Sequence, residues 1–418
     1  MTKQTNQSYW PTVWKRFRKN RLALWSMRGF FVLIFLAIFA DFVANDKPLY
    51  CKIDGQHYFP VLHQYGVDLG WTHWEAKFIT KDWEEHNYES VWYPPIPYSN
   101  KMDRKNIAYV APFAQQNISS NRYRHWLGTD ELGRDILAGL IKGTRTAMLV
   151  GIISMLIAAL IGIPLGAIAG YFGDSHFQIS ALRFGLNLIA FPLAIFYAFI
   201  ARSYQLMEGN NQLLEFVISL LIFFVILLLI NQLAKLLEKR KMFNKKITIP
   251  VDLLIMRLIE TINAIPALLL IFAAVAIIQK PSIFYIMAII GFIRWTSIAR
   301  FIRGELLRVR QLEYIEAAKA MGFKESRIIW RHAIPNALTP VLITIAFGIA
   351  SAILLEASLS FLGIGVSPED VTWGSMLSKA RINFSAWWLA VFPGLAIFFT
   401  VTIFNLIGEG LTDAMGKN

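Results

Sequence analysis

Glu313-Tyr-Ile-Glu-Ala-Ala-Lys-Ala-Met-Gly-Phe-Lys-Glu-Ser-Arg-Ile-Ile-Trp-Arg-His-Ala-Ile-Pro335 is a charged amphipathic segment wedged between two apolar runs. Good helix formers fill its first part, and Gly322 suits the end of that helix because glycine adopts a left-handed conformation without steric cost. Ser326 is placed to cap a second short helix. Two short helices joined at Gly322 are therefore expected to lie along a membrane surface. There they serve either as a docking handle for a partner protein or as a basic amphipathic element resting on anionic lipid.

Composition requires a membrane. Of the 418 residues 56% are hydrophobic, and several runs approach the roughly 20 apolar residues that cross a hydrocarbon core. The formal charge of +13 would suit nucleic acid, but the basic residues cluster beside the ends of apolar runs, where cytoplasmic positive bias places them. The lipid bilayer is thus the expected partner, with no nucleic acid. Cys51 is the single cysteine, which excludes an internal disulfide and a cysteine metal cluster and leaves the redox compartment open.

Outward from Glu313 the chain divides as follows. Residues 1–21 form a cytoplasmic amino-terminal segment carrying Lys15, Arg16, Arg18, Lys19 and Arg21, and 22–44 form the first transmembrane helix. That run exceeds the signal-peptide core of about 7 to 15 residues and lacks an Ala-x-Ala-like site, so it reads as uncleaved, amino end inside. Residues 45–145 turn polar and aromatic, an extracytoplasmic subdomain of α+β type, with Asp54-Gly55 as a hairpin turn and Trp92 to Tyr98 as a stiff aromatic cluster. It suits either contact with a substrate-delivery protein or a cover over the pore mouth.

Residues 146–171 give the second transmembrane helix, with Thr129 or Asp130 expected to cap it and Arg134 and Asp135 expected in an ion pair or cap, a binding-site role being the alternative. Gly162, Gly166 and Gly170 strip side chains from one face, so that another helix approaches closely. Two further apolar runs within 179–233 are an inserted helix pair, lipid-facing because they carry few ionisable groups, or else two long interfacial helices. The basic loop 234–250 follows on the cytoplasmic side. Residues 251–410, with a single span expected from about Val251 to Ile278, complete eight spans and leave 303–334 and both termini in the cytoplasm.

The segment 313–335 resembles the EAA loop of bacterial ABC importer permeases. Leu127-Gly-Thr-Asp-Glu-Leu-Gly-Arg-Asp135 and Met256-Arg257-Leu-Ile-Glu260-Thr-Ile-Asn-Ala264-Ile-Pro266 resemble elements of the dipeptide/oligopeptide branch of that family. So do Trp295, Ala299-Arg300 and Arg303, and Ser358-Leu-Ser-Phe-Leu-Gly-Ile-Gly365 with Pro368 to Trp373-Gly374. Two departures stand out: about eighty residues intervene between Gly170-Tyr171 and Met256, and Glu260 replaces the branch's aspartate. Asn45-Asp-Lys-Pro-Leu49 and Tyr58-Phe-Pro-Val61 are further similar to the subgroup associated with microcin C uptake.

The resemblance implies an all-α polytopic protein of the type I ABC importer permease fold. It would have six core transmembrane helices, the inserted pair and the small extracytoplasmic insertion, in a bacterial cytoplasmic (inner) membrane. It implies ATPase coupling through Glu313, Glu316, Ala317, Ala318, Met321, Gly322, Ile334 and Pro335. The implied partners are a second homologous permease subunit, two ABC ATPase subunits and an extracytoplasmic substrate-binding protein. ATP-Mg would sit on the ATPases and no cofactor on this chain.

No Gly-x-x-x-x-Gly-Lys-Ser/Thr loop, His-Glu-x-x-His pair or Gly-x-Ser-x-Gly turn is present, so the sequence carries no recognisable ATPase, zinc protease or esterase motif. Glu260, Asn263, Glu356 and Asn405, with Glu409, are polar groups within spans and candidates for a translocation path, because such groups need a partner or water; the alternatives are interface positions for Glu356 and Glu409 and an ion pair of Glu260 with Arg257. Trp387-Trp388 is expected in the aromatic belt, and Pro266 and Pro393 are expected to kink their helices. A stand-alone ion- or proton-coupled transporter is the alternative reading.

Overall fold

The computed structural model describes residues 9–99, 107–116, 118, 120–208, 212–238, 245–277, 282–364 and 370–416. They form two compact units, Met1–Gly166 with Ile259–Asn418, and Ala167–Leu258.

In the larger unit an amphipathic helix α1 (Tyr9–Phe17) buries Val13 and Phe17 against Ala23 and Ala414. Helix α2 (Arg21–Ile38) starts at Asn20, whose side chain accepts from the Ala23 amide at 3.2 Å. A turn of helix, α3 (Ala40–Val43), leads into the polar insertion. There β1 (Tyr50–Ile53) pairs antiparallel with β2 (Gln56–Tyr58) and, on its other edge, with β3 (Ser90–Trp92). Asp54 and Gly55 have φ of 51° and 75°, the two positive values that a type I′ hairpin turn needs. Between β2 and β3 come α4 (Pro60–Asp68) and α5 (Ala76–Ile79). Phe78, from α5, and Trp83 bury Cys51 and Ile53, and that burial pushes the Cys51 thiol up to about 11. The small α+β insertion is therefore real.

Helix α6 (Ile136–Phe172) is 37 residues long and starts ten residues before the boundary expected at 146. The cap explains the difference. Asp135, not Thr129 or Asp130, accepts from the amide of Ala138 at 2.7 Å, and its other oxygen lies 2.8 Å from Nδ1 of buried His125. Thr129 instead accepts from the Val110 amide and donates to the Ile107 carbonyl. Asp130 accepts from the amides of Leu132 and Arg134 and pairs with Lys379 at 2.6 Å.

The smaller unit holds the inserted pair. Strand β4 (Gln178–Ser180) enters α7 (Ala181–Ile195), which runs on through a π-helical turn, Phe196–Ile200. After α8 (Ser203–Glu208), α9 (Gln212–Leu237) returns antiparallel to α7, and β5 (Lys246–Thr248) pairs with β4. Asn187 and Asn231 exchange hydrogen bonds of 3.2 and 3.0 Å between the two helices, and Arg183–Glu238 and Arg202–Glu215 pair their ends. The basic loop expected over 234–250 is thus helix to Leu237 and strand at 246–248; residues 239–244 lie outside the described residues. Both helices are mostly exposed along their lengths.

The single span expected from about Val251 to Ile278 is in fact two helices, α10 (Val251–Asn263) and α11 (Ala267–Ile277), bent by 81°. Pro266 is the cause, since it lacks an amide proton and disfavours the helical conformation at Ile265. Then follow α12 (Ile283–Val309), α13 (Glu313–Ala320) and α14 (Glu325–Ile328). Helices α15 (Ile334–Phe361), α16 (Trp373–Lys379) and α17 (Trp388–Gly416) complete the chain. Val150, Ile271, Ile286, Met287, Ile290, Ala352 and Leu359 form the core shared by α6, α11, α12 and α15. A Cβ at Gly162 or Gly166 would lie 2.7 Å from the Trp295 carbonyl oxygen or 2.4 Å from that of Ala299, so α12 packs directly on the backbone of α6.

Trp388 is 5% exposed and donates from Nε1 to the Thr129 carbonyl at 3.0 Å, so it is an internal tie and not a belt residue. Trp387 is half exposed. Gly365 and Pro368 lie outside the described residues. Seven described helices are long and apolar enough to cross a membrane, and α10–α11 taken as one span gives eight.

Candidate functional site

The segment between α12 and α15 folds as a bent hairpin. Helix α13 closes in a Schellman motif: the Gly322 amide donates to Lys319 and the Phe323 amide to Ala318, at 2.9 and 3.2 Å, with Gly322 at φ 74°. The reversal brings the chain straight back into helix. Lys324, extended, holds the N-cap position of α14, two residues before Ser326, which lies inside the first turn. Nor is α14 a separate short helix. It continues through a π-helical turn, Ile329–Ala333, into α15, giving an unbroken helix from Glu325 to Phe361. The π turn ends two residues before Pro335, where a regular helix would lose a hydrogen bond.

The eight residues expected to couple divide between two faces. Ala318 and Ile334 are buried, as are the neighbouring Ile315, Ile328 and Ile329, and these side chains hold the hairpin inward. Glu313, Glu316, Ala317, Met321, Gly322 and Pro335 are exposed. Beside the two glutamates, Tyr314, Met321 (65% exposed) and Trp330 (62% exposed) present apolar surface to the outside. Large apolar side chains rimmed by charge are what a protein interface offers. Tyr314 is steadied by Asn336, which donates to its hydroxyl at 3.0 Å.

The four expected path residues are not brought together. Glu260 and Asn405 are exposed, on α10 and α17. Asn263 accepts from the Thr296 hydroxyl at 3.2 Å. Glu356 is 2% exposed and accepts from Ser360 at 2.5 Å, an internal contact one turn along α15. None of the four lines the two clefts beside the hairpin. One, of about 650 Å³, lies between the hairpin ends of α12, α15 and α17, against Glu305, Arg308, Tyr314 and Asn336. The other, of about 430 Å³, runs deeper against Arg294, Ser297, Thr344 and Ser351. They share Pro340, Ile343 and Thr412 and so lie side by side. The sequence held a signal for it that the reading of spans passed over: Arg294 is a cation inside the apolar run that starts at Ile283.

A multi-span bundle interrupted by a charged, bent hairpin and grooved beside it is the build of a transporter's membrane subunit. The profile of the binding-protein-dependent transport system inner membrane component matches residues 246–418, and that of the N-terminal transmembrane domain of oligopeptide transport permease C matches 8–59. The chain is 28% identical to the peptidoglycan transport system permease protein YejE of Agrobacterium fabrum, over 96% of this chain and 91% of that protein. It is 28% identical to the inner membrane ABC transporter permease protein YejE of Escherichia coli, over 97% and 96%. With the glutathione transport system permease protein GsiD of Pectobacterium atrosepticum it shares 32% identity over 70% of this chain and 72% of that one.

The chain belongs to the permease subunits of binding-protein-dependent ABC importers, in the dipeptide/oligopeptide branch. It is a multi-pass inner-membrane transport component. Membership of this family does not favour the stand-alone secondary transporter.

Proposed function

We propose that this chain is one of two permease halves of an ATP-driven importer for peptides or peptide-like compounds, and that α13 is its handle for a separate ATPase. The observation that carries the reading is the hairpin itself, held to the bundle by Ile315 and Ala318 while Glu313, Glu316 and Met321 face outward. The names borne by its relatives, peptidoglycan and glutathione transport permeases, support a peptide-like cargo and fit the microcin C-type subgroup.

In this account a second homologous permease supplies the other half of the path, two ATPase subunits bind ATP-Mg, and an extracytoplasmic binding protein delivers cargo. This chain carries no ATPase site of its own. ATP closes the ATPase pair, the handles move together, and the spans exchange an outward for an inward opening. Such an exchange requires that the ATP-bound partner favour one permease state by a free energy comparable with the gap between states. The hairpin and both termini then lie in the cytoplasm.

Glu316→Lys tests the handle. In the complete transporter reconstituted in vesicles, the variant should insert and assemble, and the ATPases should keep hydrolysing ATP, while uptake driven by it falls at least tenfold. Unchanged uptake would remove the coupling role from α13.

A further inference from the structure

Arg294 and Ser351 occupy the two helices that the hairpin joins, α12 and α15, well inside the spans: Arg294 lies about 17 Å along α12 from Ile283 and about 22 Å from Val309. The guanidinium donates to the Ser351 hydroxyl at 2.5 Å. Among the described residues it has no carboxylate partner. A cation at that depth is costly unless it meets a counter-charge or water, and one neutral hydroxyl uses a single one of its five N–H donors. The remaining donors sit at the deep cleft of about 430 Å³, together with the side chains of Ser297 and Thr344 and the apolar walls of Met155 and Phe347. That is within the size range of small-molecule sites, and at Pro340, Ile343 and Thr412 it adjoins the cleft at the hairpin end of the bundle.

We infer that Arg294 is a carboxylate-binding point on the transport path, taking the free carboxylate of a peptide-like cargo in transit, with Ser351 as its resting partner and Ser297 and Thr344 as the neighbouring polar contacts. The inference rests on the peptide-importer reading above. A guanidinium matches a carboxylate with two parallel hydrogen bonds, which a lysine cannot reproduce. The apolar walls leave room for side chains of varied kind, so the site reads the one group such cargoes share.

The test compares two probes in the complete reconstituted transporter: a short peptide accepted by the cognate binding protein, and the same peptide amidated at its carboxyl end, also loaded on that protein. With Arg294→Gln, uptake of the free-carboxylate peptide should fall roughly tenfold or more while uptake of the amide changes little. Arg294→Lys should recover part of the loss. ATP hydrolysis stimulated by the binding protein serves as the control for assembly and should persist. Equal loss of both probes, with or without loss of hydrolysis, would assign Arg294 to structure or to an ion pair with the second permease, and no loss of either would remove it from the path. A wild-type transporter that takes up neither probe overturns the peptide reading itself and carries the carboxylate assignment down with it.

Discussion

Gly322 carries the conformational burden of the coupling hairpin. Its φ of 74° is one that a side chain bearing a Cβ adopts at a cost of about 1 to 2 kcal/mol, yet no atom lies within 4 Å of where that Cβ would go. Gly322→Ala should therefore strain the joint without a clash. The global melting temperature should hardly move, while the Phe323 amide, bonded back to Ala318, exchanges with deuterium about fivefold faster or more. Unchanged exchange would show that the motif does not hold the bend. Glycine and the Glu316-Ala317-Ala318 run made this joint legible in sequence. What stayed hidden was which of those residues face outward, because the burial of Ile315 and Ala318 is decided by tertiary packing. The cap of the long helix α6 is Asp135, one of three candidates the sequence offers, and the choice is hidden for a related reason. Thr129, Asp130 and Asp135 are all good caps in isolation, and only the tertiary partners Val110, Lys379 and His125 decide among them.

At the level of elements, α6 and α12 pack backbone to backbone through Gly162 and Gly166. Gly166→Val places atoms where the Ala299 carbonyl oxygen already stands, and overpacking of this kind costs about 1 to 3 kcal/mol or more. Its thermal unfolding in detergent should come well below that of the wild type. Gly394→Ala, with nothing within 4 Å, should be neutral or slightly stabilising. Equal behaviour of the two would contradict the packing. The inserted pair offers a second check. Asn187 and Asn231 satisfy each other between α7 and α9, so Asn187→Leu or Asn231→Leu alone leaves one amide without its interhelical partner, and the double change removes both. A double-mutant cycle should show a coupling of about 0.6 to 1.7 kcal/mol; zero coupling would mean that the two amides act independently. Apolar runs announced these helices, but the break at Pro266 and the β4–β5 clasp at the base of the pair were not legible, since short strands without alternation give no period to read.

At the level of the whole molecule, the family and the spans were written in the sequence far more plainly than the cargo site. Repeated apolar runs and the EAA-like loop are local signals, whereas a translocation groove is assembled from single positions on separate helices. The polar residues within the spans, Glu260, Asn263, Glu356 and Asn405, scatter, whereas Arg294 and Ser351 meet because α12 and α15 pack side by side. Coupling requires α13 to face the cytoplasm, because an ATPase can grip it only from there. Cys51 is the sole cysteine and is buried, its thiol held protonated at neutral pH, so Cys51→Ser gives a background in which Met321→Cys on the exposed hairpin is the one reactive position. An impermeant maleimide applied to vesicles of either orientation is the most direct measurement. Labelling of the Met321→Cys variant should occur in inside-out vesicles stripped of ATPase, be blocked when the ATPases are restored, and be absent in right-side-out vesicles; labelling from the outside would contradict the coupling role and the topology together.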